Sequence, residues 1–383
     1  MNEFNVSQNF IKRTTLKSKM KTNILLIITF LFTTLSYSQE LIVKSRFEKI
    51  EYVESVDWYN DDIYCAGYSF KTKINDGNSS DAYLINYDTT LQPKWTLKIS
   101  DEHSNIIYSI KRHKDKIYAL VTQGTVQALT QDVKINLFII SLEGIIENKV
   151  QFGRTSRSPS NISFDGENLI FGHTVSDGIS YSSKSISEII RYNLNTKKIV
   201  RFTSSQYQSK PKKLLVNGTD IYLFGQYIHR NQPNIMTYRN GKYSEIRLNP
   251  RKEEYFLDSY INGNILTVVS VFPGVYGDSK KYLKIYYINL DNDSINTISK
   301  SYDELGWEEA RFYTFSMGNS SWGIIKDTQT KTIKFALINE KGNVDKTLSF
   351  DMQNGGSYLE RYIFKSDKYL NANSSGIQIY KFE

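Results

Sequence analysis

The sequence predicts an all-β fold: a seven-bladed β-propeller of four-stranded antiparallel blades, its ring closed by an N-terminal strand that joins the last blade. Three observations lead there. First, a polar turn running into a short apolar strand keeps returning. It reads Asn60-Asp61-Asp62-Ile63-Tyr64-Cys65-Ala66-Gly67, then Asp115-Lys116-Ile117-Tyr118-Ala119-Leu120, then Gly218-Thr219-Asp220-Ile221-Tyr222-Leu223-Phe224-Gly225. With weaker copies included, the markers Tyr64, Tyr118, Leu169, Tyr222, Leu266, Gly323 and Leu370 are spaced by 54, 51, 53, 44, 57 and 47 residues. A period near 50 with several strands per unit is the mark of propeller blades. Second, aromatics make up 14% of the chain, with 28 Tyr and only 6 Pro, a composition that suits strands. Third, the last unit is one strand short and the N-terminus holds a spare one.

Each unit reads as four strands, A to D. In the first, A covers 51–58, B 62–70, C 82–87 and D 94–99. Turn chemistry supports these cuts. Asp165-Gly166, Asn217-Gly218 and Asn262-Gly263 separate A from B in units three to five, and Asn240-Gly241 separates C from D in unit four; such dipeptides tolerate the positive φ of tight hairpins. The B strands are apolar almost throughout, as in Ile221-Tyr222-Leu223-Phe224, and so suit burial on both faces. The first D strand alternates Trp95, Leu97 and Ile99 with Lys94, Thr96 and Lys98, as a half-exposed outer strand does.

The last unit offers only 357–364, 368–373 and 377–382. The fourth strand is expected from 40–48, where Leu41, Val43 and Phe47 alternate with Lys44, Arg46 and Glu48. Burying those three side chains is worth ~1.5–3 kcal/mol each at most, and closure removes an edge open to aggregation.

Residues 1–38 read as a secretory signal, leaving 39–383 as a single propeller domain. Lys17, Lys19 and Lys21 lead into an apolar core of 12 residues from Ile24 to Leu35, and Ser36-Tyr37-Ser38 offers small residues at the cleavage positions before Gln39. Twelve residues are too few to span a bilayer core, which takes about 20. The style of this leader resembles that of secreted proteins of Bacteroidetes-type bacteria. A secreted, periplasmic or cell-surface location is expected, with no integral span after cleavage. The leader carries five Lys/Arg and one Glu, so its removal lowers the formal net charge from +8 to +4. That mild excess argues against a nucleic-acid partner. The one cysteine, Cys65, falls in an apolar strand and reads as a core residue.

Asp81-Ala82-Tyr83-Leu84-Ile85-Asn86-Tyr87-Asp88 followed by Lys94-Trp95 resembles the C–D hairpin of bacterial secreted propeller repeats. The resemblance covers one blade well and 136–141 loosely. It implies the fold and no activity.

Candidate site residues gather on the face formed by the B–C and D–A loops. The B–C loops are long in units one to three (71–80, 124–133, 176–185) and short in units four and six (229–233, 327–331). Long loops on a rigid scaffold are where binding concentrates. That face is expected to collect Arg154, Arg157, His229, Arg230, Arg251 and Lys252, with Tyr181, Tyr207, Tyr276 and Trp307 among them. Cations interspersed with aromatics suit an anionic glycan or an acidic protein loop.

Chemistry-bearing sets are sparse. Asp76-Gly77-Asn78-Ser79-Ser80-Asp81 has oxygen ligands but lacks the Asp-x-Asp-x-Asp-Gly order and trailing Glu of a calcium loop. His103, His113, His173 and His229 form no metal-binding spacing, although His173 and His229 fall near the ends of neighbouring B strands. Asp303-Glu304-Leu305-Gly306-Trp307-Glu308-Glu309 sets carboxylates around an indole, a pattern seen in sugar hydrolysis as well as in solvated turns. No nucleophile elbow, phosphate-binding glycine loop or cofactor motif occurs. The expected function is therefore a non-catalytic, envelope-associated propeller that binds a protein or glycan through its loop-rich face, with no cofactor and no metal. The alternative is an extracellular carbohydrate- or peptide-processing enzyme acting at the channel mouth; no catalytic residue is assigned.

Overall fold

The computed structural model describes residues 39–71, 79–102, 104–126, 131–155, 158–176, 185–204, 209–227, 232–250, 254–272 and 281–301, then the strands between 310 and 382. The architecture below is that of the compact unit Leu41–Lys381.

The described elements are β-strands. The first sheet is β2 (Tyr52–Tyr59), β3 (Asp62–Phe70), β4 (Ser80–Tyr87) and β5 (Pro93–Ile99), paired in that order. The second is β6 (Ser104–His113), β7 (Lys116–Val126), β8 (Gln131–Ser141) and β9 (Ile146–Thr155). The third is β10 (Ser163–Asp165), β11 (Asn168–Ser176), β12 (Ser185–Asn193) and β13 (Ile199–Ser204). Next come β14 (Ser209–Asn217), β15 (Asp220–Tyr227), β16 (Pro233–Arg239) and β17 (Lys242–Ile246), then β18 (Tyr255–Asn262), β19 (Ile265–Phe272), β20 (Tyr282–Asn289) and β21 (Ile295–Ser301). A further sheet holds β22 (Ala310–Met317), β23 (Ser320–Asp327), β24 (Thr332–Ile338) and β25 (Val344–Asp351). In the last, β1 (Gln39–Ser45) lies beside β28 (Gly376–Phe382), followed inward by β27 (Lys368–Asn373) and β26 (Arg361–Lys365).

Apolar packing between blades is described for six of these sheets. Five apolar cores lie between consecutive blades and join six of them. One unites Leu370, Ile377 and Ile379 with Val53, Ile63 and Cys65; the others continue through β9, β13 and β17 to Leu266 and Val268 of β19. The sheet β22–β25 is fixed by its backbone register, and its side chains lie outside the described residues. The seven blades expected from the marker spacing are thus corrected: six packed blades are established among the described residues. The physical reason lies in the core positions. Packing between blades is what defines a blade, and it is carried here by named buried side chains on six sheets.

The burial gradient follows the strand patterns. β3 is buried from Ile63 to Gly67, whereas β5 alternates and leaves Lys94, Thr96 and Lys98 exposed. Cys65 is fully buried, and burial pushes its thiol well above the ordinary range. The closing strand is less apolar in its contacts than its pattern suggests. Phe47 joins the core, but Leu41 is 40% exposed. The hairpins also differ in detail. At the A–B turns, Gly166, Gly218 and Gly263 are themselves the first central residue, with φ near +55°, and Asp165, Asn217 and Asn262 end the strands. Only Asn240-Gly241 places both central residues at positive φ.

Candidate functional site

The innermost strands β2, β6, β10 and β14 surround a cavity of about 570 Å³ in the channel. Its lining runs from Ser55 and Ser109, mid-strand, and Asn161, just before β10, toward the A–B turns at Asp57, His113 and Phe164. It therefore lies toward the turn end of the blades, opposite the end that carries the B–C loops.

One repeated position builds the channel wall. The Ser55 hydroxyl accepts the Ile110 N–H of the next blade at 3.1 Å, the Ser109 hydroxyl accepts that of Ile162 at 2.9 Å, and Asn161 Oδ1 accepts that of Leu214 at 2.7 Å. These three residues stand 54 and 52 apart in the chain. The next step of 52 reaches Lys213, whose ammonium turns instead to Asp258 of the following blade. An innermost strand has one edge without a partner strand, and an unpaired buried N–H costs ~1–3 kcal/mol. Side chains from the preceding blade fill that role. Asn161 does so twice, since its Nδ2 also donates to the Leu214 carbonyl at 3.1 Å. A β-bulge just before Ser55, Ser109 and Lys213 re-aims the strand at this point.

The ionisable groups at this end are largely engaged with one another. Asp57, 6% exposed, accepts from Lys111 Nζ at 2.7 Å and from the Arg112 N–H at 2.8 Å. The Arg112 guanidinium lies 4.3 Å over the Tyr59 ring and pairs with Asp62 at 2.7 Å. Burial works to raise the Asp62 carboxyl, but hydrogen bonds from Lys94 and Asn86 and the nearby cations hold it below its ordinary value. His113 stacks on Phe164 with centroids 4.2 Å apart, and burial together with the Lys114 charge keeps its imidazole below the usual histidine range. Its Nε2 is enclosed and has no hydrogen-bond partner.

Two further buried acids sit inside single blades. His173 Nε2 meets Glu188 at 2.8 Å, directly across β11 and β12, and Arg201 and Thr203 complete the carboxylate's shell. Burial alone raises Glu188; the His173 hydrogen bond and charge, with Arg201 and Thr203, outweigh it and hold the carboxyl low. Glu254 takes hydrogen bonds from Ser270 and Tyr286. No group of three or more potential metal-ligating side chains occurs among the described residues.

At the opposite, loop-bearing end, the first blade presents an aromatic cluster. Tyr52 stacks on Tyr68 at 4.9 Å, and Phe70 meets both edge-on at 5.4 and 5.5 Å. Phe70 is 43% exposed. Burial and the nearby Glu54, Tyr108, Tyr52 and Glu51 push the Tyr68 hydroxyl up to about 12.

Of the residues singled out in the sequence, Arg154 lies exposed near the end of β9, opposite Lys134. Arg157, Tyr181, Tyr207, His229, Arg230, Arg251, Lys252, Tyr276 and Trp307 lie outside the described residues, as do the acidic loop 303–309 and most of the Asp76 loop. Asp81, at the end of that loop, pairs with Lys98 at 2.7 Å and with Lys71 at 3.1 Å. Sequence reasoning missed the Tyr52–Tyr68–Phe70 cluster and the His173–Glu188 pair. Both follow from hairpin register, Tyr52 opposite Tyr68 and His173 opposite Glu188, which pattern alone does not fix.

No family model matches this chain, and no curated protein matches it. Solved structures do match. Polysaccharide lyase Uly1 aligns at a TM-score of 0.50 and 9% identity, over 91% of this chain and 93% of that one. Acylaminoacyl peptidase aligns at 0.50 and 10% identity over 87% of this chain, which spans 51% of the peptidase. The WD40 domain of SCAP from fission yeast aligns at 0.47 and 9% identity, over 91% and 98%. At such identities the likeness is one of fold. The chain has a β-propeller fold.

Proposed function

We propose that this chain is a non-catalytic, secreted or envelope-associated propeller that binds a protein or glycan partner at its loop-bearing end. The observation that carries the reading is the half-exposed cluster of Tyr52, Tyr68 and Phe70 at that end. Aromatic rings there suit stacking on a sugar face or seating in a protein partner. Arg154, with Arg157 beyond it in sequence, adds charge for an acidic group. The carboxylates at the channel and inside the blades support a binding role. Asp57, Glu188 and Glu254 each hold donors from neighbouring strands, so they serve the fold rather than face a substrate.

The test is a glycan array and a capture from native envelope with the protein, repeated with Phe70→Ala and with Arg154→Ala plus Arg157→Ala. The reading predicts one saturable partner, lost in both variants at unchanged melting temperature. Retained binding in both variants, or turnover of the captured partner, overturns it.

A further inference from the structure

The channel cavity lies at the other end of the blades and offers hydrogen-bond donors in excess of acceptors. The hydroxyls of Ser55 and Ser109 each accept a main-chain N–H, which leaves their protons without an acceptor among the described residues. Lys111 gives one N–H to Asp57 and keeps two, on a side chain that is 48% exposed. Each Asp57 oxygen already holds one donor. Asn161 is engaged by its two hydrogen bonds with the Leu214 main chain. His113 lines the cavity but its Nε2 is enclosed and does not face it. Against these polar groups stands an apolar flank of Val56, Phe164 and Val216.

We propose that this cavity binds a small organic carboxylate with an apolar body. The ammonium of Lys111 and the spare donors would receive the carboxylate, and the apolar flank would cover the remainder. A volume of about 570 Å³ falls in the usual range for small-molecule pockets. A neutral ligand of the same shape would leave the donor surplus unanswered. This site is separate from the loop-end reading in both place and chemistry, so either can fail alone.

The experiment is a ligand-observed NMR titration of the protein with phenylacetate, and with phenylacetamide as its neutral counterpart. The expected result is saturable phenylacetate binding, with phenylacetamide weaker by at least about tenfold. Lys111→Gln leaves Asp57 its bond from the Arg112 N–H and should weaken phenylacetate at least about tenfold at unchanged melting temperature. Ser109→Ala removes one of the spare hydroxyl donors of the lining and should also weaken binding. If Lys111→Gln is poorly folded, Ser109→Ala decides. Arg154→Ala with Arg157→Ala should have no effect. The proposal is overturned by absent saturation, by equal affinity for the two compounds, by unchanged binding in the deciding variant, or by loss of binding in the Arg154 and Arg157 variant.

Discussion

Replacing Asn161 probes the repeated bond between blades most cleanly, because the side chain is uncharged and its two shortest hydrogen bonds go to one residue. Its Oδ1 accepts the Leu214 N–H at 2.7 Å and its Nδ2 donates to the Leu214 carbonyl at 3.1 Å. Leu214 is fully buried. Two neutral hydrogen bonds at ~0.5–1.5 kcal/mol each put Asn161→Ala at ~1–3 kcal/mol, toward the upper end because a buried donor is orphaned. Unfolding entropy near 2.1 cal/mol/K per residue gives about 0.7 kcal/mol/K for a unit of this size, so the melting temperature should fall by ~2–4 °C. Asn161→Ser restores an acceptor of the kind found at Ser55 and Ser109 and should recover about half of the loss. Differential scanning calorimetry on the three proteins measures this. An Asn161→Ala protein within ~0.5 kcal/mol of the parent, or a serine variant no better than alanine, would refute the idea that side chains of one blade cap the inner strand of the next.

Three other outcomes follow from the geometry. Gly67→Ala brings a methyl to 1.9 Å from the Tyr52 carbonyl oxygen, so the β2–β3 pair must open at a cost of about 3 kcal/mol or more. Gly166→Ala meets nothing within 4 Å and bears only the strain of φ +54°, about 1 kcal/mol; the reverse ranking in urea melts would contradict the packing. Glu188 has a carboxyl pKa depressed by folding, so its stabilisation is present above the ordinary value of 4.5 and is lost as pH falls through the lower folded value. The stability gap between the parent and Glu188→Gln should accordingly narrow from about pH 5 downward, and a gap constant to pH 3 would count against the His173–Glu188–Arg201 arrangement. Phe70→Ala, on an exposed ring, should leave the melting temperature within ~1 °C while removing partner binding.

Strand type was the most legible feature of the sequence. The apolar run Ile63–Gly67 became a buried second strand, and Lys94 to Ile99 became a half-wet outer one, because burial on two faces or one leaves a direct trace in composition. Blade number was less legible. The markers at Leu266 and Gly323 depart most from the mean step, and spacing counts turns rather than the packing that makes a blade. The channel wall had left a trace that went unread: Ser55, Ser109 and Asn161 recur at the blade period. Their role became visible only when the bulges at 54 and 108 showed where each side chain points. Turn register was misplaced by one residue because Asp165-Gly166 fits two hairpin types equally well. The His173–Glu188 pair lies 15 residues apart in sequence and depends on which residues face each other across β11 and β12, a matter of loop length rather than of local pattern.

The whole arrangement rests on the N-terminal strand completing the sheet of the C-terminal one. Hydrogen–deuterium exchange on chains beginning at Gln39 and at Arg46 tests this directly. Loss of Gln39–Ser45 should expose the outer edge of β28, so amides of residues 376–381 exchange faster by at least about tenfold while those of β3 keep their protection. Equal exchange at residues 376–381 in the two chains would contradict closure of the sheet by β1.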